Sequence, residues 1–200
     1  MMHRAALLIG GNQGDRHSLL LQATDLIRQR IGSVALLSSI HETEPWGDFE
    51  IQNSESEIQN FLNQALVVDT LLSPHDLLHE ALAIEHTLGR RRPASTFHSP
   101  LSTRKYSSRP IDIDIIFYDH AIISTPDLTV PHPRMHLRRF VLEPLAEVLP
   151  DYVHPVLGKS VAEMLAEPTQ WVTGTQAGVS TPAHHASTNP EPPQGVAGTE

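Results

Sequence analysis

The apolar positions of this chain follow two periods. Short runs with a two-residue period fall at residues 7–9, 34–41, 60–70 and 109–119, and each predicts a strand. Two stretches between them have helical spacing. The first carries Leu20, Ala23, Ile27 and Ile31 behind a candidate N-cap, Asp15, and Gly32 is expected to stop it. The second opens on Ser73-Pro74, an N-cap with proline at the first helical position. Its apolar stripe is Leu77, Leu78, Ala81, Leu82, Ile84 and Leu88, and Gly89 ends it. Gly10-Gly11-Asn12-Gln13-Gly14 reads as a tight turn from strand to helix.

Further along, Ile122 and Ile123 are expected to form a short hairpin partner after a turn at Asp119-His120. Residues 142–149 predict a helix packed on the sheet, and Ser160 and Glu163 have capping-box spacing for a last short helix. The main order is β-α-β-β-α-β. The expected class is therefore α+β: a ferredoxin-like βαββαβ antiparallel sheet with helices packed on it and extra C-terminal helices. Residues 167–200 break the pattern. They hold five prolines, no Lys or Arg and few large apolar side chains, so the chain divides into a domain over 1–166 and a disordered polar tail.

Composition narrows the chemistry. With no cysteine, a disulfide framework, a thiolate nucleophile and a Cys-ligated zinc site are all excluded. The apolar run at residues 5–9 is too short for a signal peptide or a membrane span, so a soluble cytoplasmic protein is expected. The net charge of −9 argues against a general nucleic-acid binder. The cations are nonetheless gathered in one region. Of 14 Lys and Arg, nine lie between Arg90 and Arg139: Arg90, Arg91, Arg92, Arg104, Lys105, Arg109, Arg134, Arg138 and Arg139.

These cations flank the strand at 109–119. Strict alternation puts Ile111, Ile113, Ile115 and Phe117 on one face of it, and Asp112, Asp114, Ile116 and Tyr118 on the other. Two carboxylates one pleat apart, beside a core, repel each other. A divalent cation relieves this, and hard oxygen donors suit Mg²⁺ shared with substrate phosphates. The alternative is that one aspartate is solvated and the other pairs with an arginine. Arginine forks take phosphate oxygens bidentately, so the pattern suits a metal-bound polyanion such as ATP.

Other candidates come from loops and strand ends. Trp46 sits on a long acidic loop extending to about residue 60, either as a lid residue or as a packed anchor. Phe61 and Asn63 share a strand face, where a ring and an amide suit a flat heterocycle. The serine-rich stretch 93–108 suits a catalytic lid. His132, flanked by prolines, fits phosphate contact better than a helical metal pair with His136.

Six ordered motifs then resemble one family. They are Gly10-Gly11-Asn12; Thr43-Glu44-Pro45-Trp46-Gly47; Phe61-Leu62-Asn63-Gln64-Ala65; Ile84-Glu85 with Gly89-Arg90; Arg109-Pro110-Ile111-Asp112-Ile113-Asp114; and Val130-Pro131-His132-Pro133-Arg134-Met135 with Arg138-Arg139-Phe140. Over roughly residues 7–165 the chain resembles the 6-hydroxymethyl-7,8-dihydropterin pyrophosphokinases of folate biosynthesis. That resemblance implies transfer of diphosphate from ATP to the pterin hydroxymethyl group, with release of AMP. It implies two Mg²⁺ on Asp112 and Asp114, with Arg90 and Arg109 joining them in catalysis. Thr43, Pro45, Trp46, Phe61, Asn63 and Phe140 are then expected at the pterin. Glu85, Arg90, Arg109, His132 and Arg138 are expected at ATP, in a monomer acting on small molecules. There are departures from the family pattern: Tyr106-Ser107-Ser108 stands where Trp-Gly-Pro is usual, Leu82 replaces a glutamine, and the lid loop is longer. The alternatives are another Mg²⁺-dependent phospho- or nucleotidyltransferase, or a non-catalytic ferredoxin-like binding module.

Overall fold

The computed structural model describes residues 1–45, 59–90 and 108–167. Its central strand is β1 (His3–Gly11), whose residues from Ala5 to Gly11 are all buried. A strand buried on both faces reads as a continuous apolar run, which is why Ala5 to Ile9 shows no alternation. Helix α1 (Arg16–Arg30) follows, and Asp15 caps it by accepting from the Ser18 N–H at 3.1 Å.

The predicted strand at 34–41 is two strands, β2 (Gly32–Leu37) and β3 (His41–Thr43). Ser38 causes the break. Its Oγ accepts the Ala65 N–H at 2.9 Å, and its carbonyl accepts from Gln64 Nε2 at 2.8 Å, so side chains replace ladder bonds there. Both strands pair with β4 (Phe61–Thr70). Gly32 does not terminate α1. It opens β2, where a Cβ would fall on the Asp69 carbonyl.

Helix α2 (Pro74–Thr87) starts as expected on Ser73, and the chain then enters β5 (Asp112–Tyr118). The sheet order is β2-β4-β1-β5 and every pairing is antiparallel, the split βαβ topology expected. Ile123 does not pair with β5. It lies in β6 (Ile123–Ser124), which pairs with β7 (Thr129–Val130) in a separate small sheet. Helices α3 (Arg139–Val148) and α4 (Val161–Ala166) complete the described residues, α4 with both capping-box bonds.

The sheet separates two cores. On one face Leu7, Ile9, Leu66, Val68, Ile113 and Ile115 pack against Leu20, Ile27, Leu77 and Ile84 of α1 and α2. On the other, Ala6, Leu8, Ala65, Ile116 and Phe117 pack against α3 and α4 through Val141, Leu142, Leu145, Val161 and Met164. Alternation in β5 fails at its end. Register jumps between Ala6 and Leu7, where Ala6 faces Phe117 and Leu7 faces Ile115, so Ile116 is an extra residue. The bulge exchanges the last two faces: Phe117 joins the α3 core and Tyr118 the α1–α2 core, the reverse of the sequence expectation. Among the described residues no helix is long and apolar enough to cross a membrane.

The two glycines ending β1 are needed for close approach, since the positive φ of the turn belongs to Gly14. A Cβ at Gly11 would overlap the Pro110 carbonyl that precedes β5. Gly11→Ala is expected to lower stability by about 2–3 kcal/mol, because backbone must move. Gly158→Ala, at φ 67° in open space, is expected to lose only about 1 kcal/mol. Urea unfolding of both variants checks the order.

Candidate active site

The α3–α4 face of the sheet is left uncovered at one end. There β5 presents Asp112 and Asp114, which pair in register with Gly10 and Leu8 of β1. A cleft open to solvent is lined here by Leu8, Gly10, Thr43, Glu44, Phe61, Asn63, Arg109, Asp112, Asp114, Arg138 and Phe140. The two carboxylates, the two rings and the amide named from the sequence therefore share one concavity.

Arginines already offset the repulsion expected between the carboxylates. Asp112 Oδ1 accepts from Arg90, and Asp112 Oδ2 lies 2.9 Å from Arg109 Nη1. Asp112 is thus the arginine-paired aspartate of the alternative reading, in the same cleft as Asp114. Arg90 is aimed by Glu85, whose Oε1 accepts from Arg90 Nη1 at 2.9 Å and from the Ile113 N–H at 2.8 Å. Because β5 is an edge strand, its outward N–H groups need acceptors beyond the sheet, and Glu85 supplies one. At 1% exposed, Glu85 lies behind the strand, and its link to the cleft runs through Arg90.

Burial pushes the Asp114 carboxyl up, but His132, Arg109, Arg138 and Arg90 together leave it below its ordinary range. Burial and the nearby Arg138 and Arg134 hold the His132 imidazole below its usual value, against the pull of Asp114. The bulge in β5 places this histidine. The Ile116 carbonyl accepts the His132 N–H at 3.0 Å, which anchors the loop beside Asp114.

The opposite wall is built on β4. Phe61 and Asn63 point into the cleft, and Asn63 Nδ2 donates to Thr43 Oγ1 at 2.9 Å on the neighbouring β3. Asn63 needs Gly10 beneath it, since a Cβ there would come within 2.6 Å of Asn63 Oδ1. Each ring has an arginine beside it, with the Arg109 guanidinium 5.8 Å from the Phe61 centroid and that of Arg138 5.7 Å from Phe140. Arg138, buried at 6% exposed, is the N-cap residue of α3.

Pro45 is half-buried just past Thr43. Trp46, Tyr106, residues 168–200 of the predicted tail and most of both predicted lid loops lie outside the described residues. Sequence reasoning gave no role in the site to Leu8, Gly10 and Glu44, which line the cleft, or to Asn12, read only as part of a turn and a motif. Asn12, 3% exposed, donates through Nδ2 to the Gln59 carbonyl at 3.3 Å and to Ser108 Oγ at 3.1 Å, and its Oδ1 accepts the Arg109 N–H at 2.9 Å. It ties together the described ends of both loops. The signal available was an asparagine following two glycines at a strand end.

Among the described residues no three His, Cys, Asp or Glu side chains cluster as a metal cage. Two aspartates alone offer only oxygen donors. That set suits a hard cation that completes its shell with water and substrate phosphate.

A family profile described as 7,8-dihydro-6-hydroxymethylpterin-pyrophosphokinase (HPPK) matches residues 6–150. A Porphyromonas gingivalis protein named 2-amino-4-hydroxy-6-hydroxymethyldihydropteridine pyrophosphokinase is 40% identical over 150 residues, 74% of this chain and 92% of that protein. Proteins of the same name from Methylorubrum extorquens and Bacillus subtilis are 38% and 39% identical, over 83% and 74% of this chain and 94% and 79% of theirs. Among solved structures, a wild-type Plasmodium falciparum HPPK-DHPS with pteroate superposes with a TM-score of 0.61 at 16% identity, over 82% of this chain and 44% of that one. At that identity the likeness concerns the fold, and this chain spans less than half of that two-part protein.

The direction of the Asp114 shift has a measurable consequence. A carboxylate with its folded pKa below the ordinary 3.8 adds stability above about pH 4 and loses it as pH falls through the folded value. The difference in unfolding free energy between wild type and Asp114→Asn is therefore expected to change most below pH 4, with wild type losing ground. Urea unfolding without metal across an acid pH series measures it.

Proposed function

The chain belongs to the 7,8-dihydro-6-hydroxymethylpterin-pyrophosphokinase family, and we propose how its cleft performs that family's reaction. The enzyme transfers the terminal diphosphate of ATP to the hydroxymethyl group of 6-hydroxymethyl-7,8-dihydropterin and releases AMP, a step in folate biosynthesis. The observation that carries our assignment of residues is the meeting, in one cleft, of an aspartate pair with arginines on one wall and two rings with an amide on the other. One half suits a metal-bound polyphosphate and the other a flat heterocycle.

On the heterocycle side, Phe61 and Phe140 offer apolar faces to the pterin. Asn63, oriented by Thr43, reads its amide edge, with Pro45 and Trp46 bordering the same wall. On the nucleotide side, Arg90, Arg109, Arg138 and His132 hold phosphate oxygens, and Glu85 acts by fixing Arg90. Asp112 and Asp114 would hold magnesium, two ions in our reading, and the metal would supply charge neutralisation at the phosphates.

In the transfer, the hydroxymethyl oxygen forms a bond to the β-phosphorus while the bond from that phosphorus to the α–β bridging oxygen breaks. The hydroxyl proton leaves to solvent and the bridging oxygen departs with AMP. The chain contributes in-line positioning and positive charge from Arg90 and Arg109. A strong base is not required, and none of the proposed residues acts as a nucleophile. The cysteine-free composition supports a cytoplasmic setting, and we read the enzyme as a monomer complete in its own cleft.

AMP is expected as the nucleotide product in equal amount to pterin diphosphate, by chromatography of a reaction with ATP, Mg²⁺ and the pterin. ADP or free pyrophosphate instead indicates a different transferase. Asp112→Asn and Asp114→Asn are each expected to reduce kcat by about a thousandfold, because charge neutralisation at the phosphates is lost. Phe140→Ala is expected to weaken pterin binding by about tenfold or more while ATP binding holds, by calorimetry with a non-hydrolysable nucleotide.

A further inference from the structure

A polar network just outside the cleft joins its two walls. It involves Ser39 in the β2–β3 connection, His41 at the start of β3, and Glu143 and Glu147 on α3. Glu147 Oε2 accepts the Ser39 N–H at 2.7 Å, and Glu147 Oε1 accepts from Ser39 Oγ at 2.7 Å. His41 Nε2 also lies 2.7 Å from Glu147 Oε1 and 3.3 Å from Ser39 Oγ. On the other side of the ring, His41 Nδ1 is 4.0 Å from Glu143 Oε2, and Glu143 Oε1 accepts from Arg139 Nε at 2.6 Å. The two bonds from Ser39 hold the Glu147 carboxyl below its usual range.

Periodicity connects this network to the cleft. His41 and Thr43 are two residues apart on β3 and so share a face. Phe140, Glu143 and Glu147 are spaced i, i+3, i+7 and so share a face of α3. The same two faces therefore meet twice. At one level His41 meets Glu147, and at the next Thr43 and Phe140 line the cleft. Thr43 in turn orients Asn63. The strand involved is only three residues long and lies on the sheet edge, paired on one side alone, with β4.

The His41 and Glu147 side chains are 23% and 39% exposed, and ion pairs so open to water contribute little to folding. Three polar groups nonetheless converge on one carboxylate at short range, which fixes geometry.

We propose that Ser39, His41 and Glu147 are positioning residues that set the gap between the Thr43–Asn63 wall and the Phe140 ring, and thereby the fit of the heterocycle. This rests on the pterin reading of the cleft. None of the three lines the cleft, and their hydrogen bonds go to one another rather than to Arg90, Arg109 or Arg138, so the nucleotide half is expected to hold.

The test compares wild type with Glu147→Ala and Ser39→Ala. Pterin and nucleotide dissociation constants, both KM values and kcat are measured, with melting temperature as control. In Glu147→Ala the pterin Kd and KM are expected to rise about tenfold, as for loss of hydrogen bonds to a charged acceptor, while the ATP values and kcat stay within about twofold. Ser39→Ala removes one side-chain bond only and is expected to give a smaller shift in the same direction, which keeps the test open if Glu147→Ala folds poorly. Equal losses for pterin and ATP, or no loss for either, overturn the positioning role and leave the pterin assignment standing. A wild-type chain that binds ATP and no pterin overturns both.

Discussion

Two carboxylates on one face of an edge strand are tolerated only where positive charge stands against them, and much of this molecule arranges that charge. Asp112 is held between Arg90 and Arg109. Arg90 reaches it because Glu85, at the end of α2, accepts both the Arg90 guanidinium and the Ile113 N–H. One buried side chain thus closes the sheet edge and aims a cation. Arg109 precedes β5 and is tied by its backbone to Asn12, at 3.0 Å and 2.9 Å. Arg138, at the start of α3, adds its charge at Asp114, so the arginines come from three separate places in the chain and converge on β5.

The same strand arranges the rest of the nucleotide side through its irregularity. Without the extra residue at Ile116, alternation would continue and the carbonyl that holds the His132 N–H would lie in the ladder with β1. The bulge also gives the α3 core Phe117, which packs against Tyr152 with the rings tilted by 36° and centroids 4.3 Å apart. Tyr152 donates onward to the Asp119 carbonyl, which ties down the far end of β5. Catalysis by positioning and preorganised charge depends on such rigidity, since a flexible cradle would have to reorder in each turnover.

Opposite, the heterocycle wall depends on close approach. Gly10 makes room for the Asn63 amide, and Gly11 lets β1 run against the Pro110 carbonyl. These glycines were read from the sequence as turn residues, and they act as absent side chains. The turn itself falls on Gly14. A glycine selected for φ and one selected for space look the same in a sequence, because the distinction lies in the neighbour.

The order of strands and helices, the caps at Asp15, Ser73 and Ser160, and the shared face of Asp112 and Asp114 were all legible in the sequence, because each follows from contacts within a few residues. The motifs likewise named the residues now found around the cleft, since residue type alone carries their chemistry. Tertiary structure decided the rest. It split residues 34–41 at Ser38, exchanged Phe117 and Tyr118, sent Glu85 behind the strand, and gave Asn12 and Glu147 partners far along the chain. Each of these outcomes depends on a donor or acceptor supplied from distant sequence. Local pattern fixes which way a side chain points, and only the assembled fold fixes what it meets.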